Sequence, residues 1–300
     1  MIRGRTAQRR LPAALALLGT ATMLAACGHG GLAAAPGTAT AVKVAPERVV
    51  SAPRGLLAAA APQASGTMWA LAGATGTGLF ELDSASGQVR DSRSVSSAAR
   101  SVAESSAGVL GVALGDRKAG ALELRDGHSG KATATVPLPA PARQAVVGSD
   151  GSTFYVLSGW HKSASVTVVS SQNGKVHGTV PVPADTVSIA PDVAQASLYA
   201  LEATGLVDEI GISSGKITAR FKVGDQGMSI ALNPNGSTLY VLKGTPVVAN
   251  IAVINVATES VRHIWPAPSH CRALLVSASG SQLYEVVGTP GYGNIQVLAL

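Results

Sequence analysis

The chain repeats itself with a period of about 43 residues, and this limits what it can fold into more than any other feature. One marker is a residue, mostly aromatic, inside short β-forming segments such as STFYVLSG and STLYVLKG. It falls at Trp69, Leu110, Tyr155, Tyr199, Tyr240 and Tyr284. A turn residue recurs in step with it at Gly87, Gly130, Gly174, Gly215 and Glu259. Two markers that keep one period predict an array of copies of one supersecondary unit.

Each unit is predicted to contain four short strands. Residues 228–264 show this best, with MSIAL, TLYVLK and IAVINV followed by VRHIW. The turn NPNGS separates the first two strands, and Gly236 supplies the positive φ that such turns need. Pro266 and Pro268 end the outer strand, since proline cannot donate to a strand ladder. Four short strands at this period are typical of a β-propeller blade.

Counting the second strands gives six blades. They begin near Thr67, Gly108, Thr153, Ser197, Thr238 and Gln282. The last unit supplies only three strands, ending with NIQVLAL at 294–300. We expect residues 41–50 to pair beside Asn294–Leu300, closing the ring and removing an exposed sheet edge. A seventh blade would need about 40 further residues. The prediction is therefore an all-β fold, a single six-bladed propeller of four-stranded blades over residues 41–300.

The repeats resemble a known family. SDGSTFYVLSG, SVTVVSSQNGKVHGTVPV and NPNGSTLYVLKG are similar to the YVTN-type β-propeller repeat, whose pattern runs D-G-x-x-x-Y-V, then V-x-V-I-D, then T-G-K. The resemblance covers about residues 65–300 and is weaker in the first two repeats, where Trp69-Ala70 and Leu110-Gly111 replace the Tyr-Val pair. It implies a secreted or surface propeller, and some relatives on this scaffold are lactonases.

The N-terminus has the layout of an export signal. A basic stretch from Met1 to Arg10 precedes an uncharged apolar run over residues 11–23 and the sequence LAAC. The apolar run is shorter than the roughly 20 residues that cross a bilayer. LAAC resembles the bacterial lipobox, which implies a signal peptide over 1–26 and a lipid on Cys27. An ordinary cleaved signal with an incidental cysteine is the alternative.

An acylated Cys27 would anchor the protein at the extracytoplasmic face of the cell membrane. Residues 28–40, rich in Gly, Ala, Pro and Thr, then predict a flexible tether after the lipidated cysteine. The formal net charge is +6, but four of the 23 basic residues and none of the 17 acidic ones lie within 1–26. The remainder is almost neutral, which argues against a nucleic-acid partner. We expect a monomer.

Motifs for chemistry are absent from the sequence. It contains no G-x-S-x-G, H-E-x-x-H or C-x-x-C, and its six histidines lack ligand spacing, so we expect no metal, cofactor or catalytic residue. The Gly-Lys pairs after the third strands are assigned to hairpin turns. Cys271 has no partner once Cys27 is lipidated, and we expect it to be a buried hydrophobe. Trp69 and Trp265 are expected to pack between blades.

By analogy with other propellers, a ligand would meet the face that carries the loops between second and third strands and between blades. The candidate residues on this face are Arg143, Trp160, His161, Asp185, Asp225, His270 and Arg272. Trp160 either belongs to a binding surface or folds back over the blade edge. The charged residues either bind a ligand or form a ring of structural ion pairs.

Two classes of function follow. The first hypothesis is a non-enzymatic, membrane-anchored module that binds a protein, a peptide or an envelope component. The alternative is a lactonase-like hydrolase, which would need Asp185, Asp225, His270 and Arg272 to converge, with a divalent metal. A role as redox partner has less support, because no set of cofactor ligands is visible.

Overall fold

A computed structural model describes residues 40–41, 44–63, 66–73, 77–116, 119–160 and 163–300, with the backbone alone at 40–41. These residues form the six blades of one β-propeller, each with four antiparallel strands, and a short fifth strand joins one blade in parallel. The described residues contain no α-helix, and a 3-10 turn at Val256–Thr258 is the one helical element among them. The predicted fold class is confirmed.

The strands follow the repeat. Two precede the first complete blade, β1 (Thr40–Ala41) and β2 (Arg48–Ala52). Blade 1 contains β3 (Leu56–Ala59), β4 (Thr67–Ala72), β5 (Gly78–Asp83) and β6 (Val89–Ser94). Blade 2 contains β7 (Ala99–Glu104), β8 (Val109–Gly115), β9 (Gly120–Asp126) and β10 (Ala132–Leu138). Blade 3 contains β11 (Ala142–Val147), β12 (Thr153–Trp160), β13 (Ser163–Ser170) and β14 (Val176–Val182).

The second half repeats the same order. Blade 4 contains β15 (Thr186–Asp192), β16 (Ser197–Glu202), β17 (Leu206–Gly211) and β18 (Ile217–Lys222). Blade 5 contains β19 (Gly227–Leu232), β20 (Thr238–Gly244), β21 (Ala249–Asn255) and β22 (Ser260–Ala267). Blade 6 contains β23 (Cys271–Val276), β24 (Gln282–Thr289) and β25 (Tyr292–Ala299), with β2 as its fourth strand. The first strands contact one another around the ring, and β23 contacts β3.

The two ends of the chain meet in blade 6. Strand β2 pairs antiparallel with β25, with Arg48 opposite Val297 and Ala52 opposite Gly293. The predicted closure is confirmed, although the pairing segment lies later than most of the 41–50 range. Strand β1, at the start of that range, instead pairs in parallel with β22 of blade 5. Most of the predicted segment therefore leads up to the closing strand.

The apolar core is divided among the gaps between blades. The described buried residues form six clusters, and each cluster draws its members from two neighbouring blades. The repeated aromatic belongs to this packing: Trp69 faces blade 2, and Tyr155 faces blade 4. Trp69 is 1% exposed, as expected for a residue between blades. Trp265 packs partly buried against the cluster between blades 5 and 6, 6.0 Å from the ring of Tyr240.

The strand register corrects the alignment of the second repeat. Gly111, opposite Ala103, stands at the place that Tyr155, opposite Val146, takes in blade 3. The sequence alignment had put Leu110 there, one residue too early. The space left by the missing aromatic is filled from the next blade, because a Cβ on Gly111 would lie 2.9 Å from the ring of Phe154. Blade 3 therefore supplies the ring that blade 2 lacks.

The repeated turn residue is explained by the backbone conformation that the turn requires. Gly87, Gly130, Gly174 and Gly215 all have φ between 63° and 73°, and Glu259 in the fifth copy has φ 51°. A residue with a side chain adopts this left-handed region at some energetic cost, which explains why glycine fills the place four times out of five. The marker keeps the period of the repeat because each of the first five blades has a hairpin at this place, between its third and fourth strands.

The contact between Gly111 and Phe154 predicts coupled stability effects. Gly111→Ala should destabilise the protein by about 1–3 kcal/mol through overpacking. Phe154→Leu should cost about 1–2 kcal/mol because it leaves a void. The double variant should lose less stability than the sum of the two, since the smaller side chain at position 154 makes room for the added methyl group. Urea unfolding followed by circular dichroism measures all three, and strictly additive losses would contradict the proposed packing.

Candidate binding site at the upper mouth of the channel

We call the face that carries the loops between second and third strands, and the loops between blades, the upper face, and the opposite face the lower face. At the upper end of every first strand, the pairing with the second strand skips one residue. The skipped residues are Leu57, Arg100, Arg143, Val187, Met228 and Arg272. Such β-bulges re-aim a side chain at the rim of a sheet. The fold thus sets six equivalent positions around the upper mouth of the channel, and three hold arginine.

Two of these three arginines, Arg143 and Arg272, are among the predicted site residues. Arg100 is not among them, although it lies one repeat before Arg143. The guanidinium of Arg100 donates hydrogen bonds to the carbonyl oxygens of Ser97 and Ala99, at 3.0 Å each. Aligning the first strands on the repeat would have found it, but those strands are short and their sequences diverge.

Arg143 and Trp160 form a stacked pair. The guanidinium carbon of Arg143 lies 4.3 Å from the centre of the Trp160 ring, within the range of a cation–π contact. Arg143 also donates through Nη2 to the carbonyl oxygen of Thr186 in blade 4. Burial lowers the pKa of Arg143 to about 10, which leaves the group charged at neutral pH. The structure thus brings together two of the predicted residues.

Trp160 remains largely on the surface. It is 55% exposed at the end of β12, while Arg143 contacts its ring. Holding a large aromatic ring at the surface in a fixed orientation is typical of an anchor residue in an interface. The neighbouring His161 lies outside the described residues, so its predicted role stays a prediction.

His270 and Arg272 lie together in blade 6. The His270 ring meets Tyr292 edge to face, with 6.4 Å between ring centres. The backbone N–H of His270 donates to the Pro246 oxygen, and Arg272 Nε donates to the Gly288 oxygen at 2.6 Å. A cavity of about 340 Å³ opens beside His270 and Arg272 between blades 4, 5 and 6. Val187 and Met228 also line it.

The two predicted aspartates are in loops that precede other blades. Asp185 is exposed before β15. Asp225 is exposed before β19 and forms an ion pair with Lys222 at 2.9 Å, which lowers the pKa of the Asp225 carboxyl. Among the described residues, no three His, Cys, Asp or Glu side chains are placed to hold a metal ion. The structure therefore does not gather Asp185, Asp225 and His270 into a metal site.

The upper face exposes several large apolar side chains. Four large ones lie at connections between second and third strands: Trp160, Val247, Val248 and Tyr292. Val247 and Val248 are 64% and 68% exposed. The other exposed large apolar residues in the described ranges are on the fourth strands of blades, such as Val89 and Val176, or at Leu300. The upper face thus exposes four large apolar side chains, and one of them, Trp160, contacts an arginine.

Cys271 is buried and chemically quiet. It is 1% exposed and belongs to the cluster between blades 5 and 6, as the sequence predicted. Burial raises the pKa of its thiol far above neutral pH, which keeps it protonated and unreactive. Cys27, the predicted lipidation site, lies outside the described residues.

The fold and the upper face define a six-bladed β-propeller with a basic, partly apolar channel mouth. Neither the comparison with protein-family models nor that with curated proteins finds a match. In the part of the chain that the structure describes, no helix has the length and apolar character needed to cross a membrane.

Proposed function

We propose that this protein is an exported lipoprotein of the YVTN-type propeller kind, whose upper face binds a protein or peptide of the cell envelope. The basic and apolar segments before LAAC support the lipid anchor on Cys27, and the D-G-x-x-x-Y-V pattern of the repeats supports the family. The anchor holds the propeller at the extracytoplasmic face of the membrane, where its partner is also found.

The main support for the binding function is that the half-buried Arg143 stacks on the exposed Trp160, on the face that also exposes Val247, Val248 and Tyr292. Trp, Tyr and Arg are the residues most enriched where protein interfaces gain their energy. Clustered exposed apolar residues mark interaction surfaces on soluble domains. The same face shows no set of side chains among its described residues that would bind a metal, so no structural observation favours the lactonase-like alternative.

The chemistry of the mouth indicates which partner fits. Arg100, Arg143 and Arg272 take equivalent places around it, and the only carboxylates among the predicted residues, Asp185 and Asp225, lie in the loops. Arginine side chains match carboxylates in shape and charge. The mouth therefore suits a partner segment that carries apolar residues next to acidic ones.

Removal of the exposed apolar side chains tests the binding surface. The full-length lipoprotein, solubilised from its own envelope with detergent, is compared with Trp160→Ala and with the pair Val247→Ser and Val248→Ser. The matched control is the pair Val89→Ser and Val176→Ser, which removes exposed apolar side chains from outer strands. Recovery of the partner, quantified by mass spectrometry, should fall at least ten-fold in both upper-face variants and stay unchanged in the control. Equal recovery by all forms would contradict the assignment of the upper face.

The anchor has a separate test. Cys27→Ala removes the thiol that the lipid would occupy, so the variant should leave the membrane fraction for the soluble extracytoplasmic fraction while the propeller stays folded. Fractionation with immunoblotting measures this, and incorporation of labelled fatty acid into the parent chain, but not the variant, is the matched readout. An unchanged membrane fraction together with unchanged labelling would contradict the lipid anchor.

A further inference from the structure

The opposite end of the channel holds a second cavity, of about 240 Å³. All six blades line it through the lower ends of their first strands and the loops that follow. Most of the lining is aliphatic, with Val102, Val147, Ile189, Ile230 and Leu274 among its members. A concave apolar site with few polar groups is the usual form of a small-molecule site.

Glu104 is the unusual member of this lining. It ends β7, is 6% exposed, and its Oε2 accepts no hydrogen bond from any described residue. The nearby Gln63 donates to the backbone oxygen of Glu104, at 3.2 Å, and not to its carboxyl group. A buried carboxyl without a partner is costly, because its lost hydration is not replaced. A ligand that donates to this oxygen would remove the cost.

The charged side chains around Glu104 determine which charge such a ligand must carry. Asp150 is the other charged residue in the described lining, which contains no Lys, Arg or His. The Asp150 carboxyl is exposed and already accepts hydrogen bonds from Ser152 and Thr153. Glu81, on β5 of blade 1, adds a further negative charge near Glu104. The charged side chains of the described lining, Glu104 and Asp150, and the neighbouring Glu81 are therefore all acidic.

We propose that the lower cavity binds a small molecule that joins a protonated amine to a short apolar body, with the Glu104 carboxylate accepting a hydrogen bond from the ammonium group. The volume suits a ligand on the order of ten non-hydrogen atoms. The apolar body lies against the aliphatic lining, and the ammonium group supplies the missing partner. This site is separate from the upper face and does not depend on the function proposed for it.

The proposal predicts a defined pH dependence. Burial, and secondly the charge of Glu81, raise the pKa of Glu104 to about 7. An aliphatic amine of pKa about 10 stays protonated over the range of interest. The carboxyl ionises as the pH rises through 7, so affinity for the cation should increase about ten-fold between pH 6 and pH 8.

Three probes of one shape test the site. Isothermal titration of the full chain with phenethylamine, 2-phenylethanol and phenylacetate separates the effect of charge from that of apolar contact. At pH 8 phenethylamine should bind at least ten-fold more tightly than 2-phenylethanol, and phenylacetate should not bind. Glu104→Gln keeps the shape and should abolish the preference for the amine, whereas Glu285→Gln, at a buried carboxyl outside the cavity lining, should keep it.

Equal affinity for the amine and the alcohol, or no binding of either at millimolar concentration, would overturn the proposal. So would an unchanged amine preference in Glu104→Gln. That variant should melt no lower than the parent chain at pH 8, because it removes a carboxylate whose ionisation destabilises the folded state as the pH rises from about 4.5 to 7. The three probes and the pH profile, measured on the unaltered chain, test the proposed amine site even if the variant does not fold.

Discussion

The pairing of β2 with β25 is the interaction on which the rest of the structure depends. No blade has an apolar core of its own, because each apolar cluster is formed by residues of two neighbouring blades. Without β2, blade 6 would keep an unpaired edge, and Val50 would leave the cluster that joins blade 6 to blade 1. Closure also removes the sheet edge that could otherwise pair with another chain. The five residues of β2 thus complete the last of the six apolar clusters.

Repetition provides the scaffold, and departures from repetition provide the candidate sites. The bulge at the upper end of each first strand recurs in all six blades, so it follows from the fold. The presence of arginine at three of these places does not follow from the fold, and neither does the exposed Trp160 that stacks on one of them. Glu104 is a similar departure at the lower end, where a carboxyl stands in a mostly aliphatic lining. The two ends of one channel therefore differ in charge, basic above and acidic below.

The sequence predicted the blades well because their signals are local. Five of the six second strands begin at the predicted residue, and the sixth begins one residue later, at Val109. The register of blade 2 was wrong because the missing aromatic at Gly111 is replaced by Phe154, which comes from another blade and 43 residues away. The lower cavity was missed for the same reason. The burial of Glu104 depends on blade 1, and no local pattern in ARSVAE marks it as buried.

Hydrogen exchange at the closing strand tests the central claim most directly. Val50→Ser weakens the packing of β2 between blades 6 and 1, while Val89→Ser, on the exposed outer strand of blade 1, is the matched control. If the ring depends on β2, the Val50 variant should speed amide exchange throughout β24, β25, β3 and β4, and the control should affect β6 alone. Unchanged protection of blades 6 and 1 in the Val50 variant would contradict the account.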